Sequence, residues 1–130
     1  MKSTTAFRTL IVIAMLLFSV VTSYGQDDQS KLLVGKWTKA SQDRTITFTF
    51  TADNKYEVEF TGDDKADVLG SYVTSGTKLT VTDEGGDYSS DTSGVYEFKV
   101  SDSSLTLTIV DDPVDGRSMI ASGNWSKAKE

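Results

Sequence analysis

The sequence predicts an all-β domain, an eight-stranded antiparallel up-and-down barrel. Two Gly-x-Trp tripeptides, Gly35-Lys36-Trp37 and Gly123-Asn124-Trp125, bracket the part of the chain that is patterned as strands. Between them, apolar and polar residues alternate with period two in short runs, which is the pattern of half-buried strands. Most runs are separated by turns of hairpin length, and closing such a meander on itself removes its exposed edges. A two-sheet sandwich has a similar number of strands and stays open as the alternative.

Eight strands follow one another along the chain. The clearest is 44–51, where three apolar side chains share one face and four threonines share the other, a division that a helix of about 3.6 residues per turn cannot produce. In the fourth strand the facing is ambiguous, and we expect Gly70 and Tyr72 to point inward. The last strand is expected to bend near Ser122-Gly123. The predicted strands are 36–40, 44–51, 56–61, 67–74, 78–82, 95–100, 105–109 and 117–125.

The longest predicted loop, 83–94, is acidic and rich in glycine and serine. Loops of this length in small domains tend to be mobile or functional, so this loop is the natural gate of the barrel. Four of its acids could gather around a hard cation, but a solvated acidic loop is the interpretation we prefer. No metal site is therefore predicted. The four acids are Asp83, Glu84, Asp87 and Asp91.

The first 25 residues have the pattern of a signal peptide. Lys2 and Arg8 form a basic start, an apolar run covers 10–21, and small residues precede a cleavage site after Gly25. The apolar run is shorter than the roughly 20 residues of a membrane span, although an uncleaved anchor is the alternative. Cleavage leaves a chain that begins at Gln26, with a polar lead over 26–34 and the barrel domain over 35–127. We expect a periplasmic or secreted protein without a membrane anchor.

Composition excludes several functions. The 130-residue chain has a formal net charge of −6, and its leader contains cationic but no acidic residues, so binding to nucleic acid or to anionic membranes is not expected. The chain contains no cysteine and no histidine, which excludes disulfides, thiolate chemistry and a Ser-His-Asp triad. The adjacent acids at 63–64 and 111–112 lie in predicted turns, where they face water. We therefore expect no enzymatic activity and no cofactor.

These features resemble the bacterial lipocalin-like domains of the calycin group, over residues 31–127. The matching features are Gly35-x-Trp37 at the first strand, eight meander strands and a closing strand that ends in Trp125. The departures are shorter strands and the absence of a disulfide. In that family a basic side chain covers the first-strand tryptophan, and here Arg117 and Lys127 are both candidates. The resemblance implies binding of small apolar molecules, although a short relative could instead have a filled interior.

Eight aromatic side chains are expected to point into the barrel. An eight-stranded barrel is just wide enough to be filled by side chains or to hold one small ligand, so two functions stay open. One is an exported protein that holds a small apolar ligand. The other is a solid barrel that binds another protein, as an inhibitor or an envelope component. Because no charge is assigned inward, the guest is expected to be uncharged or weakly polar. The predicted ligand-binding residues are Trp37, Phe48, Phe50, Tyr56, Phe60, Tyr72, Tyr96 and Phe98.

Overall fold

The computed structural model describes residues 29–129, and within them eight antiparallel strands close into one barrel in sequence order. This confirms the predicted fold class and excludes the sandwich. Each strand pairs with its neighbours in the chain, and β1 pairs with β8 through Trp37 opposite Lys127 and Thr38 opposite Ser126. The strands are β1 (Gly35–Ser41), β2 (Arg44–Phe50), β3 (Lys55–Glu59), β4 (Val68–Ser75), β5 (Lys78–Gly85), β6 (Gly94–Val100), β7 (Ser104–Asp111) and β8 (Gly123–Lys127).

The period-two pattern of the sequence becomes the division between the core and the surface. In β2 the apolar residues are buried and the threonines between them lie on the outer face. In β4, Gly70 and Tyr72 point inward as predicted, whereas Leu69 and Val73 are exposed. Because the outer faces carry mainly polar side chains, the buried apolar residues form a single core inside the barrel.

The segment predicted as the start of the last strand is a helix, which corrects the sequence analysis. Helix α1 (Asp115–Ala121) precedes β8, and only Gly123–Lys127 is strand. Two physical reasons explain the error. Seven residues are too few for a helical period to stand out, and the N-cap residue, Val114, supplies no side-chain hydrogen bond, so the usual start signal is missing. At Gly123 the backbone turns from the helix into β8 with φ +110°, which favours glycine.

The two ends of the barrel are covered by different helical segments. Residues 29–33 are helical and lead into β1, whereas α1 leads into β8. Because β1 and β8 are antiparallel, their starts lie at opposite ends of the barrel. We call the end where β8 starts the helix end and the end where β1 starts the N-terminal end.

Two further predictions differ from the structure or lie outside it. Strand β5 continues to Gly85, so the loop before β6 is shorter than the predicted 83–94. The predicted signal peptide, its cleavage site and residues 26–28 lie outside the described residues. Within residues 29–129, no helix combines the length and the apolar character needed to cross a membrane.

Candidate ligand-binding cavity

A cavity of about 240 Å³ lies at the helix end, between α1 and the inner faces of β2 to β5. Its walls are mainly aromatic and aliphatic side chains. Tyr88, in the loop between β5 and β6, also lines it and is 60% exposed, so this side of the cavity reaches the surface. The lining residues are Phe48, Tyr56, Val58, Phe60, Val68, Val81, Asp83, Tyr88, Val114, Gly116, Arg117, Ile120 and Ala121.

The predicted aromatic residues divide between the cavity and a solid core. Phe48, Tyr56 and Phe60 line the cavity, and the Phe60 ring packs edge-on against Tyr88 with 5.1 Å between the ring centroids. The other five predicted residues point inward but do not line it; these are Trp37, Phe50, Tyr72, Tyr96 and Phe98. Their predicted contact with a ligand therefore has no geometric support in this cavity.

Large rings fill the N-terminal end of the barrel. Phe50 stacks on Phe48 with a centroid distance of 4.4 Å and meets Tyr72 edge-on at 5.1 Å. Trp37 is fully buried there, and its indole N–H donates to the Leu33 carbonyl at 2.9 Å. The barrel interior is therefore filled by side chains at the N-terminal end and contains a cavity at the helix end.

Charged side chains reach the cavity, contrary to the prediction of an uncharged interior. The carboxylate of Asp83 accepts hydrogen bonds from the Tyr56 hydroxyl and, at 3.0 Å, from the backbone N–H of Ser90. Arg117, on α1, lies 3.4 Å from the same carboxylate through Nη1. The side chain of Asp83 is 2% exposed and that of Arg117 is 11% exposed, so both charges are nearly withdrawn from water.

A second carboxylate holds Arg117 in place. Asp112 accepts bonds from Arg117 Nε at 2.8 Å and Nη2 at 2.7 Å, and also from the Tyr96 hydroxyl and the Val114 N–H. Asp112 is predicted from the sequence to lie in a turn facing water, but its side chain is fully buried. The sequence offered no sign of this network, because its partners lie on different elements and meet only when the barrel closes.

The network perturbs the acidity of its members. Burial raises the pKa of Asp112, but the hydrogen bonds from Arg117 and Tyr96 outweigh this effect and hold the pKa below its usual range. Burial, together with the bonds to Asp83 and Asp112, raises the pKa of Tyr56 and of Tyr96. The bond to Asp112 likewise raises the pKa of Arg117. At neutral pH the two phenols of the network are therefore neutral, whereas Asp112 is ionised and paired with the guanidinium of Arg117.

Two glycines provide the space that this network needs. A Cβ at Gly70 would collide with the Tyr56 ring and with the Thr82 carbonyl, so the inward glycine lets the ring pass toward Asp83. A Cβ at Gly94 would collide with the carboxylate of Asp112. These close approaches explain why glycine stands at two inward strand positions.

The two Gly-x-Trp tripeptides occupy equivalent places in β1 and β8. Lys127 lies over the Trp37 ring at 4.7 Å from its centroid, which settles the choice between Arg117 and Lys127. In the same way, Lys39 lies over the Trp125 ring at 4.6 Å. Each ring is bonded to its own helical segment, Trp37 to residues 29–33 at the N-terminal end and Trp125 to α1 at the helix end. The indole of Trp125 donates to the carbonyl of Ala121 at 2.9 Å.

A repeated sequence motif is the signal of this arrangement. Each tryptophan is followed two residues later by a lysine, so the motif is Gly-x-Trp-Thr/Ser-Lys at both 35–39 and 123–127. Residues separated by two lie on the same side of a strand, and antiparallel pairing sets each lysine beside the tryptophan of the other strand. The repeated motif could therefore have predicted both contacts.

The acids of the 83–94 segment do not gather around one point. Asp83 points into the barrel, whereas the neighbouring Glu84 lies on the outer face and pairs with Lys55 at 3.0 Å. A different acidic group, formed by Glu59, Asp63 and Asp67, lies close together near the helix end. Asp67 there accepts hydrogen bonds from the backbone and the hydroxyl of the adjacent loop, which accounts for its burial.

No family model matches the chain, and comparison with the curated proteins and with the solved structures gave no match either. The resemblance to lipocalin-like domains therefore stands on the closed eight-stranded barrel and on the tryptophan–lysine contact between its first and last strands.

Proposed function

We propose that this chain is an exported, lipocalin-like binding protein that holds one small, mainly apolar molecule beneath helix α1. The observation that carries the proposal is the 240 Å³ cavity, with its mostly apolar walls and a few polar groups at one side. Such a combination is typical of small-molecule sites, where apolar walls supply affinity and a few polar groups fix orientation.

The size of the cavity limits the guest. An engineered apolar cavity of about 150 Å³ binds benzene, and pockets for drug-sized ligands begin at about 300 Å³. At about 240 Å³, the cavity suits a molecule somewhat larger than benzene, whereas sterols and long fatty acids exceed it. The guest therefore belongs among small aromatic or short aliphatic compounds.

The charged groups beside the cavity support binding more than catalysis. Arg117 is fixed by two bonds to Asp112, and Asp83 already accepts bonds from Tyr56 and Ser90. Groups held in this way orient a ligand, whereas a general acid or base has to exchange a proton with it. The proposal thus describes a carrier or sensor rather than an enzyme.

The test is calorimetric titration of the purified protein with ethylbenzene, together with two variants that make the same chemical change. Val81→Phe places a ring in the cavity, because Val81 is buried and lines it. Val73→Phe adds the same ring on the outer face of β4, where Val73 is 67% exposed. The parent and Val73→Phe should bind ethylbenzene, and Val81→Phe should not.

Thermal unfolding gives a second measurement. A ligand at 100 times its dissociation constant stabilises the native state by about 2.7 kcal/mol, so the parent should melt at a higher temperature with ethylbenzene. If neither the parent nor Val73→Phe responds to ethylbenzene, or if Val81→Phe binds it as well as the parent does, the proposed function is wrong. The alternative function, a barrel that binds another protein, would then be favoured.

A further inference from the structure

The polar side of the cavity carries an excess negative charge. Among the residues that line the cavity, Asp83 and Arg117 are the charged ones, and Arg117 also pairs with Asp112. One guanidinium therefore faces two carboxylates. Tyr56 and Tyr96 remain neutral, since the structure raises the pKa of each. The buried group as a whole has one more negative than positive charge.

This excess charge is concentrated on Asp83. Asp112 accepts four hydrogen bonds, two of them from Arg117 at 2.8 and 2.7 Å, which is about the full capacity of a carboxylate. Asp83 accepts from Tyr56 and Ser90, and its contact with Arg117 is long, at 3.4 Å. Its carboxylate therefore has room for another donor and is less fully neutralised than that of Asp112.

An anionic guest fits this site poorly. Arg117 has further N–H groups that could meet an acceptor, but an anion would place three negative charges around one guanidinium in a nearly dry site. Burying a charge is costly unless an opposite charge accompanies it. A cation removes that imbalance, because it brings the charge that balances the group.

We propose that the cavity selects a small molecule with an apolar body and a protonated amine, whose ammonium group binds the carboxylate of Asp83. This inference rests on the proposed function and names the chemical class of its ligand. The rings of Phe48 and Phe60 contact the apolar body, and the backbone N–H of Ser90, bonded to the same carboxylate, ties the loop between β5 and β6 to the binding site.

Three probes of similar shape test which ligand charge the cavity prefers. They are 2-phenylethylamine, which is cationic at neutral pH, ethylbenzene, which is neutral, and phenylacetate, which is anionic. Calorimetric titration of the parent at pH 7 should give the tightest binding for the amine and the weakest for the acid. Compared with ethylbenzene, the amine adds a hydrogen bond between its ammonium group and the carboxylate of Asp83. The amine should therefore bind about 10- to 100-fold more tightly than ethylbenzene.

Two variants each remove one negative charge from adjacent positions. Asp83→Asn changes the carboxylate in the cavity, and Glu84→Gln changes the exposed carboxylate on the other face of β5. In Asp83→Asn the preference for the amine over ethylbenzene should vanish. Glu84→Gln should keep the preference of the parent, which excludes a general effect of net charge.

The possible outcomes are distinguishable. If ethylbenzene binds and the amine binds no better, or if phenylacetate binds best, this inference is wrong while the proposed function stands. If ethylbenzene does not bind the parent, the proposed function fails as well. If Asp83→Asn proves unfolded by circular dichroism, the order of the three probes on the parent still decides, because that order alone carries the prediction.

Discussion

The paired tryptophans should stabilise the barrel to a similar extent, one in each terminal strand. Trp37 is 0% and Trp125 is 1% exposed, each indole N–H donates to a carbonyl four residues earlier at 2.9 Å, and a lysine lies over each ring. Truncating a buried aromatic side chain to alanine costs about 3–5 kcal/mol. We therefore expect Trp37→Ala and Trp125→Ala each to lower the free energy of unfolding by that amount.

Equilibrium unfolding in urea measures this loss. With a slope of about 2 kcal/mol per molar urea, a loss of 4 kcal/mol lowers the midpoint by about 2 M. That is a large part of the roughly 5–15 kcal/mol that holds a domain together, so the alanine variants could be too unstable to measure. Trp37→Phe and Trp125→Phe are milder, because they keep one six-membered ring while removing the N–H donor and the second ring of the indole. The buried carbonyl left unpaired costs about 1–3 kcal/mol in each variant, and the lost ring volume adds to that cost.

The two phenylalanine variants should differ in ligand binding although they match in stability. Trp125 is bonded to Ala121, which lies on α1 and lines the cavity, whereas Trp37 is bonded to Leu33 at the N-terminal end. Trp125→Phe should therefore weaken binding of ethylbenzene, and Trp37→Phe should leave it unchanged. Stability losses that differ by more than about 2 kcal/mol between the two variants, or variants that unfold like the parent, would refute the equivalence.

Three further predictions concern charge, the tyrosines and export. Asp112→Asn should destabilise the protein by about 3–5 kcal/mol at pH 7, because it leaves Arg117 buried without its main partner. Since the pKa of Asp112 is depressed in the folded protein, the parent has this advantage in full above the unfolded pKa of about 4 and loses it as the pH falls through the lower folded pKa. A gap between parent and variant that does not narrow in urea titrations as the pH is lowered below about 4 would contradict this. Absorbance titration should find Tyr56 and Tyr96 still protonated above pH 10 in the folded protein, and their ionisation near pH 10 would contradict the burial argument. The intact mass of native material should match a chain that begins at or near Gln26, and a mass that retains the leader would disprove cleavage.

The barrel could be predicted because its signals are local. Each strand shows its period of two within a few residues, as in 44–50, and the Gly-x-Trp tripeptides mark the two strands that meet. Helix α1 could not be predicted in the same way, because its seven residues lack both a capping side chain and a visible helical period. Its position is instead held by contacts from elsewhere, including the Lys39 ammonium, which donates to the carbonyls of Ile120 and Ser122.

The site was only partly predictable, because its chemistry depends on contacts between residues that are far apart in the sequence. Asp83 and Arg117 are 34 residues apart, and Tyr96 is 16 residues from Asp112. No period or motif links such residues, and the local sequence around Asp112 indicates only a solvated turn. The location of the cavity depends on how the inward side chains pack across the barrel, which an alternating pattern does not specify.

The proposed ligand binding explains the cavity better than imperfect packing does. An empty cavity destabilises a protein by about 24 cal/mol per Å³, so 240 Å³ corresponds to at most about 6 kcal/mol, less where water enters. That is comparable to the entire stability of many domains. The same chain fills its N-terminal end tightly with Trp37, Phe50 and Tyr72, and single substitutions such as Val81→Phe could fill the helix end. Proteins commonly give up stability where a binding site needs the space, and a void of this size beside an incompletely neutralised Asp83 fits that pattern.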